Sequence, residues 1–316
     1  MSEFLDPIII MFVSFFLGSM LRSATPILFT ALGEAYGESA GVLNIGAEGM
    51  MLTAAFTAFV AAASANSLLV GVIAGVGTGI VFGLLFAVLV VTLRADQIVI
   101  GVGFDIAAAG LTSLGLRVIY GTAQLPVLPS REVVDIAPLS SIPVIGKAFF
   151  SQDAMVYLAI LLVPVFYYVL YRTRFGLKLR TLGESPMVAD TAGVNVFLMR
   201  YIILMLVGAM AGLAGTYLSI YQVGFFRDDM TQGRGFIAIG VTMFARWNPV
   251  GVFLASLLYG GAESLAGGVQ ALGFLRTIPN EVVLILPYIF TIGGLVALAR
   301  RARLPPALAK PYRREL

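Results

Sequence analysis

The 316-residue chain has no cysteine, no histidine and a single tryptophan, and charged side chains make up only 12% of it. Without cysteine there is no disulfide staple and no thiolate metal site. Without histidine the commonest metal ligand and the usual general base are missing, so no metal site and no histidine-dependent catalysis are expected. A G-x-x-x-x-G-K-[ST] phosphate loop is also absent, which excludes ATP binding and hydrolysis by that device within this chain. Soluble domains carry about 25% charged residues, whereas this chain is 59% hydrophobic with a mean hydropathy of +0.97. These values mark an all-α polytopic membrane protein, since helices satisfy their own backbone in lipid.

The charges that are present are unevenly placed. Of the 20 Lys and Arg residues, 11 fall in Arg172–Arg200 and in the tail from Arg300 onward, so the net charge of +3 reports orientation and not a nucleic-acid partner. The stretch Arg172 to Arg200 holds five basic residues against Glu184 and Asp190, and a basic excess in a short loop between spanning segments places that loop in the cytoplasm. Its middle predicts a short helix: Ser185 can cap, Pro186 suits the first helical position, and Gly193 can end it. That helix is either a solvated connector or a docking surface for a soluble partner.

In chain order, the apolar segments are Pro7 to Leu21, Ala24 to Leu32, Met50 to Ala65, Leu68 to Leu93, Gln97 to Ile119, Ala154 to Tyr171, Tyr201 to Gln222, Thr231 to Ala245, Val250 to Leu265 and Val282 to Ala299. About 20 apolar residues make a spanning helix, so ten crossings are expected, some of them short or broken, with both termini inside. If Ala24 to Leu32 is instead re-entrant, nine crossings remain and the N-terminus lies outside. The acidic flank MSEFLD is not the positive region of a cleavable signal, and the first segment is expected to remain as a span. Residues 1–300 thus read as one transmembrane domain with an external loop at 120–153, a cytoplasmic loop at 172–200 and a basic cytoplasmic tail at 301–316. Gly71, Gly75, Gly79 and Gly83 recur every four residues, as do Gly208 and Gly212, a spacing that lets helix backbones approach closely in lipid.

Ionised carboxylates are costly within apolar spans and seldom idle there, which singles out Glu48, Asp105 and Glu263. Asn44 and Glu48 are a helical turn apart in GEAYGESAGVLNIGAEG, a glycine-rich stretch too polar to face lipid. Glu48 could line a pathway, cap a helix or pair with an arginine. Gln97, Gly101, Asp105 and Thr112 draw a polar and small stripe on an apolar helix, suited to binding a polar solute in transit or to hydrogen bonding between helices. Asn280 and Glu281 suit a cap ahead of the last span.

Four stretches, GVLNIGAEGMML (41 to 52), ADQIVIGVGFDIAAAGLTSLGLR (95 to 117), GLKLRTLGESPMVADTAGV (176 to 194) and GRGFIAIGVTMFARWNPVGVFLASLLYGG (233 to 261), together resemble the permease subunits of bacterial ABC importers. The similarity is to the branched-chain amino acid and ribose permease superfamily, within it to the nucleoside or simple-sugar branch, and it covers nearly the whole chain. It implies that two related permease chains form a pore in the inner membrane. It also implies that cytoplasmic ATPases carry the ATP and Mg, and that an extracytoplasmic lipoprotein or periplasmic protein delivers the solute. No cofactor is then needed in this chain. On the same resemblance Glu184, Ser185, Pro186, Ala189, Asp190 and Gly193 form the coupling helix that meets the ATPase, Asn44 and Glu48 fall in the family's LNIGAEG-like segment, and Asp105 departs from the family by standing where an amide is expected; with Gln97 of the polar stripe, these are the residues expected on the substrate pathway. Other readings are a permease for sugars or branched-chain amino acids, an ion-coupled secondary transporter using Glu48, Asp105 or Glu263, and a membrane scaffold.

Overall fold

The computed structural model describes residues 7–121, 124–143, 145–271 and 304–313, together with positions 285, 289 and 293. Helix α1 runs Pro7–Ser39 without a break. The two crossings expected at Pro7 to Leu21 and Ala24 to Leu32 are therefore one helix, and the expected count of ten is corrected. The polar pair that separated them in sequence is accommodated inside the bundle: Arg22 Nη1 donates to Gln152 Oε1 at 3.3 Å, and Ser23 is buried. At 1.5 Å per residue, 33 residues make about 50 Å of helix, enough to cross and project beyond the roughly 30 Å hydrocarbon core.

The other long helices are α2 (Ala47–Ala65), α3 (Leu68–Ala87, continued as a π turn Val88–Thr92), α4 (Gln97–Tyr120), α6 (Ala154–Arg172), α9 (Val196–Thr216, continued as a π turn Tyr217–Val223) and α11 (Pro249–Ala271). Among the described residues seven helices, α1 included, are long and apolar enough to cross a membrane. α10 (Arg234–Phe244) is apolar but only 11 residues long. The span expected at Val282 to Ala299, with its cap at Asn280 and Glu281, lies outside the described residues.

Local chemistry sets the helix starts. Asp96 Oδ1 accepts from the N–H groups of Ile98 and Val99 at the start of α4, Asp153 Oδ1 from Val156 at the start of α6, and Asn195 Oδ1 from Leu198 at the start of α9. Burial also pushes the Asp153 carboxyl above its ordinary range.

The bundle has two distinct ends. At one, residues 121–153 form a small cap in which β1 (Val133–Asp135) pairs antiparallel with β2 (Ser151–Asp153) around helix α5 (Ile145–Phe150). The start of α1 lies there, with Gly18 against Gln152 and Ala148. At the other lie α7 (Arg174–Glu184) and α8 (Pro186–Thr191), with the end of α1 beneath them: a Cβ on Gly183 would strike the Ser39 carbonyl. The first described residues of α1 are therefore at the end opposite α8, and Ala24 to Leu32 continues α1 and is not the re-entrant segment of the alternative.

The glycine repeats meet each other. A Cβ at Gly79 would fall on the Gly208 carbonyl, one at Gly83 on the Leu204 carbonyl, and one at Gly75 on Thr216 Oγ1, while one at Gly212 would crowd the Gly75 carbonyl. α3 and α9 thus touch backbone to backbone along the interval visible in the sequence.

Candidate functional site

After α1 ends, Gly41 turns the chain at φ +81°. Residues 42–46 then cross over to α2 without regular structure. The backbone polar groups of this irregular stretch need partners outside it, and α4 supplies them. Gln97 Oε1 accepts the Leu43 N–H at 2.8 Å, and Asp105 Oδ1 accepts the Gly49 N–H at 2.7 Å. Between them Gly101 lies against Ile45 and Gly46, where any side chain would collide. The stripe Gln97, Gly101, Asp105 is turned onto the crossover, and its fourth member, Thr112, donates to Ala108 of its own helix.

Two carboxylates of α1 complete the crossover. Glu34 Oε1 accepts Asn44 Nδ2 at 3.1 Å, and Glu38 Oε2 accepts Trp247 Nε1 at 2.6 Å. Glu34, Glu38 and Asn44 are all fully buried. Trp247, in the turn between α10 and α11, thereby ties that turn to the end of α1.

Glu48 lies in the first turn of α2, yet its carboxylate serves another helix. Oε1 accepts the Gly233 N–H at 2.8 Å and Oε2 the Gly235 N–H at 2.6 Å, so the side chain caps α10 across the bundle. Gly235 has no room for a Cβ beside Glu48. Beside these two glycines Arg234 pairs with Glu263 of α11 and also donates from Nη1 to the Met230 and Thr231 carbonyls at 3.4 and 3.3 Å. Asn44, Glu48, Gln97 and Asp105 are thus gathered around residues 42–49, and Glu263 joins the cluster through Arg234. Five carboxylate and amide oxygens in and beside it, Glu34 Oε2, Glu38 Oε1, Asn44 Oδ1, Asp105 Oδ2 and Glu263 Oε2, are buried without a hydrogen-bond partner among the described residues.

The second region lies at the same end of α1, where Gly183 packs on Ser39 and Ala307 on Gly41. Ser185 Oγ accepts the Val188 N–H at 3.4 Å, Pro186 takes the first helical position, and Gly193 ends the segment at φ +80°. α8 is the short helix expected from the sequence. Ala189 is buried under it, while Met187 and Val188 are exposed by 57% and 58%. Glu184 closes α7, and Asp190 accepts the Tyr312 hydroxyl at 2.9 Å.

A bundle of helices long and apolar enough to span a membrane, with a polar crossover and a small capped helix at one end, defines a multi-pass membrane permease. Residues 16–295 match the family of permease components of branched-chain amino acid transport systems, and the chain belongs to that family. It is 38% identical over 320 residues to the guanosine ABC transporter permease NupQ of Bacillus subtilis, covering 96% of this chain and 98% of that one. It is 34% identical over 296 residues to the nucleoside ABC transporter permease NupC of Lactococcus lactis, covering 92% and 93%. A putative glucose ABC transporter permease of Haloferax volcanii is 33% identical over 331 residues, covering 96% and 99%. No solved structure matches. The protein is a transport subunit.

Sequence reasoning missed Arg234, Glu34, Glu38 and Trp247. A charge inside the apolar segment Thr231 to Ala245 was the available signal for Arg234. Glu34 and Glu38, spaced one turn apart, read as part of a polar loop because the helix could not be seen to continue to Ser39.

Proposed function

We propose that this chain is a pathway-forming subunit of an ATP-driven nucleoside importer in a bacterial inner membrane. The observation that carries this reading is the similarity over nearly full length to permeases named for guanosine and nucleoside transport. Nine crossings fit the geometry: α1, α2, α3, α4, α6, α9, the stretch through α10, α11 and the sequence-predicted span Val282 to Ala299. That count puts the N-terminus outside and the basic loop and tail inside, in keeping with the charge bias.

In this reading two permease chains enclose the solute. α4 supports it, because beyond its stripe toward α2 the helix presents Val102, Ile106 and Leu111, all at least 45% exposed, to whatever lies outside this chain. A second permease chain or lipid covers that face. Gln97 and Glu48 hold the crossover and the start of α10 in shape. Asn44 and Asp105 keep one oxygen each, Oδ1 and Oδ2, as acceptors for the hydroxyl and amino donors of a nucleoside. Glu184, Ser185, Pro186, Ala189, Asp190 and Gly193 make the coupling element on which a separate ATPase, carrying ATP and Mg, pushes. A substrate-binding protein delivers solute at the cap end. The lack of a phosphate loop fits this division of labour.

The test is uptake into proteoliposomes holding the complete complex. Labelled guanosine should enter only with ATP inside the ATPase compartment, resist competition by glucose and leucine, and be indifferent to ionophores. Competition by glucose but not by nucleosides would move the chain to the sugar branch, and collapse with an ionophore at constant ATP would make it an ion-coupled transporter.

A further inference from the structure

The surface around α8 is made by two distant stretches of chain. α8 alone is six residues long and buries one side chain. Residues 304–313 pack beside it at the far end of the sequence. The Ala307 N–H donates to the Gly183 carbonyl at 2.9 Å, the Tyr312 hydroxyl donates to Asp190 Oδ2 at 2.9 Å, and the Tyr312 ring lies 5.8 Å from that of Phe197. The Lys310 carbonyl accepts Arg200 Nη1 at 3.4 Å, and Arg200 is only 2% exposed. The segment therefore roofs a buried arginine and is tied to α7, α8 and α9. Pro305, Pro306 and Pro311 restrict φ at three positions, lowering the entropy lost when irregular chain is held in one shape.

Between the two stretches lies a groove of about 410 Å³ whose lining includes Glu184, Pro186, Met187, Pro306, Lys310 and Arg313. Pro186, Met187 and Pro306 give it apolar lining, and the exposed Lys310 and Arg313 line it with positive charge beside Glu184. Arg174, Lys178 and Arg180 of α7, all exposed, extend the cationic surround. A concave groove with apolar and cationic lining matches a protein projection with an apolar tip and an acidic collar better than it matches a flat bilayer.

We propose that residues 304–313 form half of the surface that receives the ATPase, the groove between them and α8 being its socket. The proposal rests on the coupling role given to α8 above. Contact between tail and ATPase then bears directly on the α1 turn as well, since Gly41 packs on Ala307, whose carbonyl oxygen would lie 3.1 Å from a Cβ there. The start of the crossover lies one residue further on.

Because the chain has no cysteine, Met187→Cys, Pro306→Cys and Arg313→Cys each place a unique thiol for a photo-activated crosslinker in the complete complex. All three should crosslink to the ATPase. The double reversal Lys310→Glu with Arg313→Glu should lower the ATPase retained on purified permease about tenfold, with permease yield and monodispersity unchanged. Crosslinking from position 187 but not from 306 or 313, lipid adducts only from 313, or full retention by the double reversal would overturn the proposal and leave the α8 reading standing. Absence of crosslinks from all three positions would overturn both.

Discussion

The Glu48 carboxylate and the Gly235 backbone, 187 residues apart in sequence, are joined by a 2.6 Å hydrogen bond, and the neighbouring Gly233 N–H holds the other carboxylate oxygen at 2.8 Å. A half-length helix that starts inside the bundle exposes N–H groups with no intrahelical partner, and a carboxylate is the ligand best matched to that positive end. Hydrogen bonds to charged groups are worth about 1.5–3 kcal/mol each. Glu48→Ala should therefore lower stability by about 3 kcal/mol or more, while Glu48→Gln, retaining one acceptor, should lose less. Thermal unfolding in detergent, followed by the loss of the monodisperse peak, ranks the two. Equal stability of Glu48→Ala and the parent chain would refute the capping role.

The α3–α9 seam makes a sharper contrast. Gly75→Leu must push against Thr216 and the α2 backbone, where nothing can yield without separating helices. Overpacking ordinarily costs about 1–3 kcal/mol, and here the upper part of that range is expected, with loss of folded yield. Gly77, two residues away, has open space around a Cβ, so Gly77→Ala should express like the parent. Similar yields from both would show that the seam is not tight.

Asp105 separates folding from transport. In Asp105→Asn the amide oxygen still accepts the Gly49 N–H, so the crossover keeps its shape, but the remaining acceptor becomes a donor. The KM for nucleoside uptake should rise about tenfold, equivalent to about 1.4 kcal/mol, with thermal stability within a degree or two of the parent. A fall in stability with unchanged KM would make Asp105 purely structural.

At α8 the informative position is Val188, not Ala189. Ala189 is fully buried, so a bulky acid there tests folding, whereas Val188 is more than half exposed and touches little in this chain. Val188→Asp should leave permease yield intact and cut ATP-driven uptake at least tenfold, read by transport and co-purification of the ATPase together.

Topology is checked with the same freedom from cysteine. Met187→Cys should react with a membrane-impermeant maleimide only in inside-out vesicles, and Asn66→Cys only in intact cells. Labelling of position 187 from outside would invert the orientation on which the ATPase assignment stands.

Much of the fold was legible because its signals are local. The capped α8, the glycine seam and most spans follow from hydrogen-bonding capacity, side-chain volume and hydropathy within a few residues. The exception is α1, where Arg22 and Ser23 read as a break. The Arg22 guanidinium finds Gln152, 130 residues away, and no window of neighbouring residues contains that partner. Arg234 was overlooked for a similar reason: its counter-charge, Glu263, lies on the next helix.

By itself the sequence determined that this is an oily helical bundle with a basic loop and no G-x-x-x-x-G-K-[ST] phosphate loop, because those properties are sums over composition and short-range pattern. Only the tertiary structure decided that Glu48 belongs to α10, that Gln97 and Asp105 clasp the crossover, and that the basic tail is packed onto α8. Each of these depends on buried polar groups finding partners across the bundle, a requirement that depth in the membrane imposes and that sequence distance does not reveal.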